Sequence, residues 1–154
     1  MDVVLRGLHT ALGELALLFT IWALVEVAWG ASGRGVLRAK IASLTGSILL
    51  FGHWLVSGIY YVAYYGPDVK PAIKEGPWPW AHAIFMESKE HIFLFLPFLS
   101  ILLLFLVWKY GDKLREERGL RFSIFAVGGV TLFAFVLMIV SGFLISSGYR
   151  VAVP

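Results

Sequence analysis

From Ile92 to Trp108 the chain carries no charged residue, yet Glu87, Lys89, Glu90 and His91 stand directly before it. A helix needs roughly 20 mostly apolar residues to cross the hydrocarbon layer of a membrane. Stretches of that kind recur at about 8–29, 41–64, 83–110 and 122–147, and they take up nearly all of the 154 residues. A soluble domain has no room beside them. With 59% hydrophobic residues and a mean hydropathy of +0.81, the chain has the composition of a protein dissolved in a bilayer. The fold class expected is therefore all-α, an integral membrane four-helix bundle running up and down, with residues 1–154 forming a single transmembrane domain. The first stretch is longer than a signal-peptide core and lacks a convincing cleavage site, which predicts that it is retained.

The basic residues set the expected orientation. The links between the first and second stretches and between the third and fourth carry Arg34, Arg38, Lys40, Lys109, Lys113, Arg115, Arg118 and Arg121. The opposite side carries Arg6, Lys70, Lys74, Lys89 and Arg150, diluted by acids. The positive-inside rule then places both short links in the cytoplasm and both termini outside, in the inner (cytoplasmic) membrane. These positives read as topology determinants, and no nucleic-acid partner is expected; lipid is. The first link, "GASGRG", suits a short turn. The outer link, "YYGPDVKPAIKEGPWPW", is punctuated by Pro67, Pro71, Pro77 and Pro79 and predicts an ordered, non-helical cap with tryptophans at the interface. Pro97 predicts a kink in the third span.

The absence of cysteine excludes thiolate metal sites, iron–sulfur clusters, disulfides and covalent C-x-x-C-H haem attachment. Any cofactor must be held by histidine, methionine, carboxylate or backbone. There is no Ser/His/Asp set and no phosphate loop, so a complete enzyme acting on a soluble substrate is not expected.

Of the four histidines, His53 lies near the middle of its span, where ionisable residues usually face the bundle interior and have a partner. Gly46 and Ser57 share its approximate face and leave room beside it. Counted along ideal helices, His53 stands about 18 Å above the inner boundary and His91 about 26 Å. A helix tilt of ~20° and the Pro97 kink would absorb part of that difference. Glu87, one turn before His91, is placed to accept the ring N–H that a ligating imidazole leaves free. His9, near the outer end of the first span, is the substitute for His53 opposite His91. His82 is expected at the surface. Glu14 is a candidate proton contact in the first span, and Glu26 is expected to reach water at the inner end. All four histidines fall at the middle or outer side, so a second haem near the cytoplasm has no ligands.

With "GHWLVSG" around His53, "ESKEHIF" around His91 and "LHTALGE" around His9, the chain resembles the small four-helix membrane cytochrome b subunits; the last stretch is also similar to the copper-resistance D-like membrane proteins. The resemblance implies one haem b ligated by His53 and His91, with His9 as substitute. Glu87 and Glu14 would serve as proton contacts, and Arg6, Lys89 and Arg150 would receive the propionates. It implies electron transfer between the quinone pool and a partner on the outer face, within a larger membrane redox complex. Two other readings stay open. One is metal-ion handling, with His53 and His91 as ligands and Met86, Glu87 and Glu14 along the path. The other is a cofactor-free accessory subunit.

Overall fold

The computed structural model describes residues 2–29 and 33–153. Among them there are helices and no strand. The first helix, α1, spans Asp2–Ala28, and α2 spans Arg34–Tyr60. From Tyr60 the chain continues through wide, five-residue turns over Tyr61–Val69 into the short α3, Lys70–Glu75. Similar wide turns over Ala81–Met86 lead into α4, Glu87–Tyr110. A tight turn at Gly111–Lys113 and an exposed charged loop precede α5, Arg118–Ala152. The "GASGRG" turn falls largely on residues 30–32, outside those described. Gly33, which follows, has φ +43°, a left-handed conformation natural to glycine.

Among the described residues four helical runs are long and apolar enough to cross a membrane: 3–28, 34–75, 81–113 and 118–152. Each begins before the stretch expected from hydropathy, and all but the first also end after it. Their outward faces are apolar too: Phe95, Phe98, Phe122 and Phe143 are each about two-thirds exposed or more, from 66% to 74%. A helix apolar on every side belongs in a core or in lipid, and these outer faces have no protein over them.

The interior is layered, and the layers give the helix directions. The inner layer joins Leu24, Val36, Val107 and Ile124. The middle layer joins Ala16, Leu50, Leu96 and Phe135. The outer layer joins Tyr65, Ile73, Ala81 and Ile145. Residue numbers fall outward along α1 and α4 and rise outward along α2 and α5, so successive long helices alternate in direction. Both chain ends therefore lie at one end of the bundle. At the other end, Arg38 clamps Glu26 through Nε at 2.7 Å and Nη2 at 2.9 Å, and Trp22 Nε1 donates to the same carboxylate. Glu26 is thus partnered as well as near water.

The proline-rich link departs from the expected non-helical cap. Non-helical backbone is confined to residues 76–79. Pro67 sits in the wide-turn segment, whose five-residue register is continued by Lys70 N–H donating to the Tyr65 carbonyl. Pro71 lies in the first turn of α3, where a helix needs no N–H from it. The bend at Pro77 and Pro79 is held by Ala81 N–H on the Trp78 carbonyl and His82 N–H on the Pro79 carbonyl. This folds His82 inward: it is only 3% exposed, and its Nδ1 lies 2.9 Å from the Tyr65 hydroxyl. The expectation of a surface His82 is corrected accordingly. Helix α4 runs through Pro97 without interruption.

Candidate functional site: the His9–His53 pair

Two histidines from different helices meet in the half of the bundle where α1 begins and α5 ends. His9 of α1 and His53 of α2 have ring centroids 4.5 Å apart and planes inclined by 30°. The contact begins with Gly13, one turn after His9. A Cβ built there would lie 3.0 Å from both Cε1 and Nδ1 of His53, so glycine lets the imidazole reach the α1 backbone without being pushed back. Having reached it, His53 Nδ1 lies 2.8 Å from the His9 carbonyl oxygen. That oxygen can only accept, so Nδ1 carries the proton and donates it.

The second ring is fixed by similar logic. Ser57, one turn after His53, donates its hydroxyl to the His53 carbonyl at 2.6 Å. Its single proton is thereby committed. His9 Nδ1, 2.6 Å from Ser57 Oγ, must then be the donor in that bond. Both imidazoles therefore hold their N–H on Nδ1 and leave the Nε2 lone pair without a proton. Histidines that bind metals are held in this manner, the ring N–H anchored on a carbonyl or hydroxyl and the other nitrogen free.

Aromatic rings wall the pair. Tyr60 stacks on His9 at 6.4 Å, Phe93 meets His53 edge-on at 6.1 Å, and Trp54 stacks on Phe93 at 6.1 Å. Among the described residues two buried polar atoms, Trp54 Nε1 and Glu90 Oε1, have no hydrogen-bond partner. Lys89 is within electrostatic reach of both imidazoles, and its Nζ approaches Gly142 of α5, where an added Cβ would come within 3.2 Å.

His91 is not at this site. It is exposed, on the outside of α4 towards α5, and its Nδ1 donates to the Glu87 carbonyl at 2.7 Å rather than to the Glu87 carboxylate. The α4 residue facing His53 is Phe93, and two residues correspond to roughly 200° of rotation about a helix. The charges that precede Ile92 are thus divided: Lys89 and Glu90 turn inward, while Glu87, Ser88 and His91 turn outward. The structure brings His53 together with His9 and not with His91. Arg6 is exposed one turn before His9, Glu14 is exposed on α1, and Arg150 is exposed on α5 with Nη2 3.3 Å from Ser146 Oγ. Gly13 is the site residue that sequence reasoning left without a role, and Ser57, read there only as leaving room beside His53, is the hydrogen-bond partner of His9. Their signal was small residues one turn after each histidine.

Among the described residues no group of three or more His, Asp or Glu side chains could hold a metal ion. Comparison with family models, with curated proteins and with solved structures finds no match.

Proposed function

We propose that the chain is an integral membrane protein, with both termini on the outer side, that holds a haem b on His9 and His53 and passes electrons to a partner at the outer face. The observation that carries this reading is the pair of imidazoles with Nδ1 anchored and Nε2 free. Two protein nitrogens are few for a bare ion, which in protein sites usually has three or four protein ligands. They suffice for iron that already has four porphyrin nitrogens. Lys89 supplies the neighbouring positive charge for a propionate. The donor chemistry fits a haem; the spacing requires the two rings, now in contact, to part around it. That contact favours one second reading, a small metal ion with solvent completing its shell on the same two nitrogens.

The test is the visible spectrum of detergent-purified protein, oxidised and dithionite-reduced, with pyridine haemochrome and elemental analysis on the same sample. The expected result is a reduced b-type spectrum with one haem per chain. Stoichiometric copper, zinc or iron without a Soret band would replace haem by the small-ion reading. Neither haem nor metal, in protein made by haem-competent cells, would remove both.

A further test leaves every proposed ligand in place. Gly13→Val puts a branched side chain where the His53 imidazole lies and pushes Nδ1 off the His9 carbonyl. Loss of such an anchoring hydrogen bond typically weakens metal affinity about 10- to 100-fold. The expected outcome is faster transfer of haem to apomyoglobin, with the helical circular dichroism unchanged.

A further inference from the structure

Glu14 stands near the midpoint of α1 (Asp2–Ala28), and its side chain is exposed. Among the described residues it makes no hydrogen bond and no ion pair. In a protein dissolved in a bilayer, that exposure is to acyl chains rather than to water. Ionisable residues inside membrane segments are costly, and nearly always face protein or a wet cavity. Counted from residue 8, where the first apolar stretch begins, Glu14 lies roughly 9 Å inside the membrane, farther than its short side chain reaches. Nothing among the described residues relieves it.

The surface around Glu14 is shaped for a neighbouring helix. Gly7 and Ala11, four residues apart, are both exposed, and nothing lies within 4 Å of a Cβ built at Gly7. Small residues at this spacing let helix backbones approach closely in lipid. Leu18, one turn below Glu14, is 60% exposed and continues the same face. Close approach at Gly7 and Ala11 therefore brings the partner helix over Glu14.

We infer that this face of α1 docks a transmembrane helix of a different subunit, one that carries a lysine, arginine or histidine at the level of Glu14. A second copy of this chain, paired about a two-fold axis, would set two carboxylates against each other. A lipid would bring no donor to that depth. Only a basic side chain both satisfies the carboxylate oxygens and cancels the charge. The inference rests on the membrane reading above and not on the haem.

The experiment uses the full chain in its native membranes. A photo-crosslinking amino acid replaces Ala11 or Leu18, with Phe143 on the exposed face of α5 as the control position. Crosslinked peptides are sequenced by mass spectrometry. The expected result is a crosslink from positions 11 and 18, but not 143, to an apolar segment of another protein with a basic residue within it. Glu14→Lys should reduce that crosslink to the level of the control, and exchanging the partner's basic residue for glutamate should restore it. Crosslinks to lipid alone, to a second copy of this chain, or to a segment without a basic residue would each overturn the inference. So would an unchanged yield in Glu14→Lys. Resistance of the protein to alkaline extraction from the membrane checks the membrane reading separately.

Discussion

His53→Ala and His9→Ala are each expected to yield protein without a Soret band, while His91→Ala purifies with its spectrum intact. The asymmetry follows from which nitrogens are available and where they point. His53 donates Nδ1–H to the His9 carbonyl at 2.8 Å, which leaves its Nε2 unprotonated, and its ring centroid lies 4.5 Å from that of His9. Removing it deletes one ligand and also the wall against which the His9 ring lies. Removing His9 deletes the other ligand and leaves Ser57 Oγ without its donor, although the carbonyl that anchors His53 survives as backbone. His91 lies outside this arrangement, tied to its own helix through the Glu87 carbonyl. Ser57→Ala tests the same geometry more gently. It frees His9 Nδ1 from its acceptor without touching either proposed ligand, and should weaken binding about 10- to 100-fold rather than abolish it. Visible spectra of the variants, normalised to protein, separate the cases. Loss of the spectrum in His91→Ala with retention in His9→Ala would restore the His53–His91 pairing that the sequence favoured.

That pairing was a reasonable reading of the sequence, and the reason it differs from the structure is physical. The count of four apolar helices and their order could be read directly, because length and hydropathy alone control them. The facing of α4 could not. Between Ile92 and Trp108 its sequence is apolar on every side, so no polar stripe marks which side meets α2. The direction is chosen by packing: Leu96, Pro97, Ser100, Leu103 and Val107 are buried, and their common face carries Phe93 towards His53 and His91 away from it. Ser47 and Ser100, with their hydroxyl oxygens 2.7 Å apart, reinforce the same register. On α1 the information was present but small. A glycine one turn after His9 has meaning only once a ring from another helix is known to need the space. His82 illustrates the same limit in the outer link. Four prolines there suggested irregular backbone, yet the wide turns absorb Pro67 and the helix start absorbs Pro71, so the bend is short enough to fold His82 under Tyr65.

Gly148→Val is expected to lower thermal stability without emptying the site. A Cβ at Gly148 would come within 2.8 Å of the Ala81 Cβ, and the Trp78 Cβ and carbonyl oxygen lie 3.8 Å away. Ala81 is fully buried and has no flexible end to move aside, so relief requires α5 to shift from the bend that leads into α4. Overpacking of this kind costs roughly 1–3 kcal/mol, a fall in melting temperature of about 3–10 °C for a chain of this size. Gly129 is the matched control on the same helix. Nothing lies within 4 Å of a Cβ there, and Gly129→Ala should be neutral or stabilising by up to about 1 kcal/mol through helix propensity. The layer disturbed by Gly148→Val is the outer one, where Ala81 packs with Tyr65, Ile73 and Ile145, whereas His9 and His53 are held by α1 and α2 against each other. Melting of the helical circular dichroism should therefore move to lower temperature while the spectrum of the bound group, measured well below the transition, stays unchanged. A spectrum lost together with the stability would mean that the outer layer, and not only the α1–α2 contact, holds the histidine pair in place.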